Sequence, residues 1–286
     1  TMTKVSELLY SLQGEGIYTG VPSVFLRFFL CSLQCQGFGQ KNPADESTWV
    51  QPWKTIDVSK ISDLQDLPTE VYEYGCDSVY SWNAKFKHLQ KTMTVDDIIN
   101  WLVDNQLYED VICGKVHLIL TGGEPLMKNT QGFINELLKK LCVDGSRVMV
   151  TFETNGTVEL SDDLRDTIQN RVHETVFSVS PKLLNVAGEN TEKAIKPNAV
   201  STYNDVGNIL FKYVMVNTEP AKKELFEVIN KFESVLGPKP VYIMPEGPNK
   251  HRVVESRKAI AEFCMKHRFR FCDRLHTHLW DNKMGV

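Results

Sequence analysis

The stretch Val24-Phe-Leu-Arg-Phe-Phe-Leu-Cys-Ser-Leu-Gln-Cys35 decides the fold. Residues 24–30 are apolar and rich in strand formers apart from Arg27, and two cysteines follow at once. The stretch therefore reads as a buried strand with a cysteine-bearing loop at its carboxyl end. Six more runs of this type lie at 116–120, 147–152, 175–179, 209–216, 241–244 and 269–272, with helix-length segments between them. That alternation is the rhythm of an α/β protein with a mainly parallel sheet. Thr94 and Asp97 form a capping-box variant ahead of Ile98, Trp101 and Leu102, and Thr130 precedes Phe133, Ile134, Leu137, Leu138 and Leu141. Thr218 and Pro220 open a third helix carrying Leu225, Phe226, Ile229 and Phe232. All three present an apolar stripe at helical spacing.

At 286 residues, with 42% hydrophobic and 24% charged side chains, the chain has material for a substantial core. This composition argues against a disordered, collagen-like or disulfide-stapled protein. The net charge of −4 proposes no nucleic-acid partner. No run approaches the ~20 apolar residues of a spanning helix, and no leader pattern is visible, so the expected compartment is cytoplasmic. Thr1 ahead of Met2 reads as a cloning remnant. Residues 36–75 break the rhythm with Asn-Pro, Gln-Pro and Leu-Pro steps and read as an irregular insertion. Its Trp49 and Trp53 are expected to pack it onto the body rather than to form a binding surface.

The seven cysteines are odd in number and unevenly placed, which favours free thiols or metal ligation over disulfides. Cys31 and Cys35 are suited to share one site at a strand end, where α/β folds place chemistry. Buried free thiols, or a zinc site completed by His88 or another cysteine, would use the same residues. Cys113, Cys142, Cys264 and Cys272 have no motif context and read as packing residues.

Tyr74-Gly-Cys-Asp-Ser-Val-Tyr-Ser-Trp82 changes the balance. With Cys31 and Cys35 it resembles the 7-carboxy-7-deazaguanine synthases of the radical S-adenosylmethionine (SAM) superfamily. Their Cys-x3-Cys-x2-Cys loop is followed by Asp-Thr or Asp-Ser and an aromatic pair. Forty residues, 36–75, stand here where that motif has two. The resemblance implies that Cys31, Cys35 and Cys76 hold three irons of a [4Fe-4S] cluster, leaving the fourth open for SAM. It places Ser78 on Mg²⁺, a cation of hard oxygen ligands. A hydroxyl capping the turn after Cys76 is the local alternative for Ser78.

Further segments accompany the cysteines in order. Thr121-Gly-Gly-Glu-Pro125 resembles the segment that contacts the SAM amino group, which implies roles for Gly123 and Glu124, with Gly75, Cys76 and Asp77 beside them. Glu153-Thr-Asn-Gly156 ends the next strand and resembles its counterpart in the family. Ser180, Pro181 and Lys182, and then Met244, Pro245, Glu246 and Gly247, match other SAM-lining segments at strand ends. On the substrate side the resemblance points to Leu12, Gln13, Gly14 and Glu15, to Thr121, and to His276 and Val286 in the closing segment. Arg27 lies in an apolar strand and needs an anionic partner. The family supplies a pterin carboxylate, and a structural ion pair is the alternative. His276 and His278 could equally be satisfied strand histidines.

The resemblance implies one radical SAM domain over 1–286, an incomplete (β/α) barrel, with 36–75 inserted in the cluster-binding loop. The implied reaction is ring contraction of 6-carboxy-5,6,7,8-tetrahydropterin to 7-carboxy-7-deazaguanine with loss of ammonia, feeding 7-deazapurine (queuosine-type) synthesis. An electron donor such as flavodoxin and a homodimer are expected, with no direct nucleic acid and no membrane. Two other readings are a radical SAM activase of a glycyl-radical partner and a zinc-stabilised binding module without catalytic activity.

Overall fold

The computed structural model describes residues 1–247, 250–281 and 283–286, with the backbone alone described at 250 and 252–255. The described strands are β1 (Met2–Leu12), β2 (Pro22–Phe28), β3 (Lys91–Thr94), β4 (His117–Gly122), β5 (Met149–Thr154), β6 (Glu174–Val179), β7 (Asn208–Met215), β8 (Val241–Pro245) and β9 (Arg270–Phe271). They form one sheet in the order β3-β1-β2-β4-β5-β6-β7-β8-β9, in which β3 and β9 do not meet. The barrel is therefore incomplete. From β2 to β9 every pairing is parallel, and these are the seven runs expected from sequence. The antiparallel β1 and β3 extend the edge beyond β2. A register shift between Val5 and Glu7 interrupts β1's alternation, which hides it from a period-two reading.

Helices cover the outer face. Lys128–Leu141 buries Phe133, Ile134, Leu137 and Leu138 completely against the sheet, each contributing about 1.5–3 kcal/mol. Thr130 does not start this helix. Its main chain is already helical and its side chain is buried. The helix Val95–Asp104 carries the expected capping box between Thr94 and Asp97, and Thr218 accepts from the Ala221 N–H to start Glu219–Leu236.

The insertion contains only single 3-10 turns, such as Pro52–Lys54 and Leu64–Asp66, and has its own apolar cluster. Trp53, Leu64, Val71 and Tyr72 pack there with Val79, Tyr80 and Phe86 of the segment that follows. Both tryptophans pack: Trp53 is buried, and Trp49 covers Gly188. His276 and His278 lie on the helix Leu275–Trp280 and not on a strand, because the last strand stops at Phe271. Cys113 is exposed, contrary to expectation, while Cys142, Cys264 and Cys272 are buried.

Candidate active site

The loop after β2 turns back at Leu30, whose φ of 94° is a costly conformation for a leucine. Two hydrogen bonds hold it there. Its N–H donates to the Ser81 carbonyl at 2.8 Å, and its own carbonyl accepts from the Glu124 N–H at 2.9 Å. Leu30 thus joins the first cysteine to both the 78–82 segment and the Gly-Gly turn after β4. Only glycine fits that turn: a Cβ on Gly123 would stand 2.0 Å from the Leu30 carbonyl oxygen. Cys35 also has a positive φ, 54°. The N–H groups of Gln34 and Cys35 donate to one Glu189 carboxylate oxygen at 2.8 and 2.7 Å.

The insertion leaves and re-enters this loop at a pinch. Gly75 N–H donates to the Phe38 carbonyl at 2.8 Å, and Gly37 N–H to the Ala187 carbonyl at 2.9 Å. Cys76 consequently returns beside the other two cysteines, and all three border one cavity of about 240 Å³.

The donor set fits an iron–sulfur cluster. Main-chain N–H groups of Leu33 and Ser78 point at the Cys31 and Cys76 sulfurs, at 3.5 and 3.4 Å, the type of contact that tunes cluster thiolates. Among the described residues no three His, Cys, Asp or Glu side chains gather closely enough to hold a single metal ion. A zinc would draw all its thiolates to about 2.3 Å from one point, whereas a cluster holds them at separate corners. His88, the candidate fourth zinc ligand, bonds the Val58 and Ile61 carbonyls inside the insertion, each at 3.1 Å. Burial pushes the Cys31 thiol up to about 12 and those of Cys35 and Cys76 above the ordinary range. Metal uptake must therefore displace protons.

A second chamber of about 200 Å³ adjoins the first. The two share a wall made of Glu15, Arg27, Asp77, Ser78, Glu153 and Arg274. Sheet register builds much of it, since Arg27 pairs with Thr121 and Glu153 with Ser178, and residues paired across a sheet share a face. The Arg27 guanidinium donates through Nε to Glu7 at 2.7 Å and through Nη1 to the Gly122 carbonyl at 2.6 Å. Among the described residues its Nη2 has no partner. Lys212 pairs with Glu15, and Arg274 reaches Asp77 at 3.1 Å. Burial alone would raise the Glu15 carboxyl, yet Lys212 and Arg274 hold it at about 2. Asp77 is lowered by Arg274 against the same opposition, while burial raises Glu153 against the pull of Lys212.

Comparison with known proteins agrees with this architecture. No protein-family model matches the chain. Proteins named 7-carboxy-7-deazaguanine synthase match it nearly end to end. That of Halobacterium salinarum is 27% identical, covering 97% of this chain and 90% of its own. That of Hyperthermus butylicus is 28% identical over 96% and 92%, and that of Pyrobaculum aerophilum 27% over 99% and 96%. Over nearly its whole length the chain is thus similar to proteins named 7-carboxy-7-deazaguanine synthase. The crystal structure of QueE from Escherichia coli shares the fold, with a TM-score of 0.55 and 20% identity over 96% of this chain and 95% of that one.

The residues matched to synthase-family segments fall into four groups. Cys31, Cys35, Gly75, Cys76, Thr121, Gly123, Ser180, Lys182, Met244, Glu246 and Gly247 border the first chamber. Gln13, Gly14, His276 and Val286 border the second, and Glu15, Arg27, Asp77 and Ser78 border both. Leu12, Glu124, Pro181 and Pro245 border neither.

Glu124 is fully buried, and its carboxylate accepts from Leu126 N–H, Asn155 N–H and the Thr154 hydroxyl. It fastens β4 to β5 instead of facing the cavity, and burial raises it to about 7. The Leu12 carbonyl meets His276 Nε2 at 2.7 Å, so this histidine braces the loop before Gly14. Ser78 caps no turn with its side chain, and its Oγ lies 3.4 Å from Arg27 Nη1. Arg27 has the structural ion pair weighed from sequence, while its free edge borders both chambers.

Sequence reasoning missed Glu7, Glu189, Lys212 and Arg274 as site residues and left Glu153 without a role. Lys212 carried a usable signal, a lone cation inside the apolar run 209–216, just as Arg27 is within 24–30. Glu189, in a loop with no periodicity, carried none.

Proposed function

We propose that the protein converts 6-carboxy-5,6,7,8-tetrahydropterin to 7-carboxy-7-deazaguanine by radical SAM ring contraction with release of ammonia, a step of 7-deazapurine biosynthesis. The observation that supports this best is the pair of chambers divided by a charged wall, with the three matched cysteines in one and the Gln13–Glu15 loop in the other.

In this reading Cys31, Cys35 and Cys76 hold the cluster, and SAM lies along Gly123, Ser180, Lys182 and the 244–247 segment. When bound, these cofactors supply a hydrogen-abstracting radical. The protein's own part is binding and orientation. Glu7 and the Gly122 carbonyl fix the Arg27 guanidinium so that its remaining edge receives the substrate carboxylate. The Ser78 hydroxyl offers Mg²⁺ a neutral oxygen beside the Asp77 carboxylate, which Arg274 holds ionised. Glu15 and Glu153 present acceptors where the two chambers meet, suited to the amino-bearing edge of a pterin. Residues 1–286 act as one domain with 36–75 inserted, in the cytoplasm, as a homodimer served by an electron donor such as flavodoxin. These last points rest on the family resemblance.

The test is an anaerobic assay of the reconstituted protein with SAM, a reductant, Mg²⁺ and the carboxytetrahydropterin, read by mass spectrometry. Appearance of 7-carboxy-7-deazaguanine is expected. SAM cleavage without that product, from a fully loaded cluster, would move the assignment to another radical SAM substrate.

A further inference from the structure

The insertion's apolar cluster is not self-contained. Met284, from the closing segment, packs against it. The next residue, Gly285, has a φ of +75°, and a Cβ there would meet the Gln65 side-chain nitrogen at 2.6 Å. The chain thus turns over the insertion in a conformation that favours glycine. Residues 283–286 border the second chamber together with Tyr72 of the insertion, so Met284 both docks on the insertion's cluster and faces the chamber. Two segments more than two hundred residues apart in sequence therefore form one wall of that chamber.

We infer that the insertion is the seat of the closing segment, with Met284 as the positioning residue that docks 283–286 onto it and so shapes the substrate chamber. The inference rests on the second chamber being the substrate's. It assigns the insertion to substrate binding, although the insertion interrupts the cluster loop. The pinch between Phe38 and Gly75 holds the cysteine loop closed whatever lies beyond it. The apolar cluster that the insertion forms with the segment after it reaches the second chamber through Tyr72 of the insertion and Tyr80 of that segment. Met284 suits this role because an unbranched thioether adapts to an irregular apolar surface. Its truncation removes the contact without touching the charged wall or the cysteines.

The test uses the full-length protein with Met284→Ala, Met284→Leu and a variant in which 39–74 are replaced by a two-residue linker. The first readout is hydrogen exchange of 283–286, measured without and with the reconstituted cluster. The second is kinetics with the carboxytetrahydropterin. Met284→Ala is expected to speed exchange of the segment about tenfold and raise KM about fivefold with kcat little changed, the signature of lost ground-state binding. Met284→Leu should restore both. The excised variant should free the segment in the same way while its three cysteines still take up iron. Unchanged exchange in Met284→Ala overturns the docking. Freed exchange with unchanged KM overturns the role in substrate binding. If the excised variant does not fold, the two Met284 variants decide alone. Absence of product from the wild-type protein would fault the assigned substrate, and exchange would still report whether the segment is seated.

Discussion

Replacing Gly123 by alanine would set a methyl carbon 2.0 Å from the Leu30 carbonyl oxygen, 2.7 Å from its carbonyl carbon and 3.2 Å from the Cys31 Cβ. The obstacle is main chain, which cannot rotate aside like a side chain, so β4 and the cysteine loop must part by more than an ångström. That motion stretches the 2.9 Å hydrogen bond from Glu124 N–H to the Leu30 carbonyl, which holds Leu30 at its positive φ. Overpacking of this kind costs about 1–3 kcal/mol and a lost hydrogen bond about 0.5–1.5. We predict that Gly123→Ala loses about 2–4 kcal/mol, a fall in Tm of roughly 3–7 °C for a chain of this length. Because Cys31 follows Leu30 directly, iron retained after anaerobic reconstitution should fall to less than about half of wild type. The control is Gly132→Ala. Gly132 lies exposed within the helix Lys128–Leu141 with open space at its Cβ position, so this variant should gain up to about 1 kcal/mol and keep its iron. Denaturation of the metal-free protein and iron analysis suffice. Wild-type stability and loading in Gly123→Ala would refute the close-approach argument.

Cys76→Ala should abolish cluster assembly and SAM cleavage, whereas Cys113→Ala at an exposed thiol should change neither. A SAM-cleaving cluster in the first variant would mean that the third ligand lies elsewhere. Glu189→Ala removes the acceptor of the Gln34 and Cys35 N–H groups and should destabilise the loop by about 2–4 kcal/mol. It should also shorten the cluster's half-life in chelator, and an unaltered half-life would count against it. Glu15, held at about 2 against an ordinary 4.5, contributes stability that is fully present above 4.5 and lost as pH falls towards 2. Lys212→Met weakens that hold, so its deficit relative to wild type in urea titrations should be largest near neutrality and shrink below pH 4.5. A deficit independent of pH would exclude the Glu15 linkage.

The parallel half of the sheet was legible because strands buried on both faces read as short apolar runs. β1 was not, because its bulge and polar residues spoil the alternation, and β3 is only four residues long. Within the site, the cysteines and the Gly-Gly turn stood out because their chemistry depends on local spacing. The charged residues Glu7, Glu153, Lys212 and Arg274 in and around the wall did not, since each contributes one charge from a separate element. Sheet register brings the first three to one face, and Arg274 joins them from the start of the closing helix. Glu124 adds a feature the motif did not announce: its carboxylate is buried and accepts from its own chain's donors.

The pinch at Phe38 and Gly75 separates two quantities that a ligand motif usually ties together, the distance between cysteines in sequence and in space. Lengthening a spacer from two residues to forty costs about 2.7 kcal/mol of closure entropy, a sum that the insertion's own apolar cluster can offset. Selection can therefore rewrite what lies beyond the pinch with little consequence for the sulfur positions. In this protein, electron delivery and substrate choice can evolve on separate stretches of the same loop.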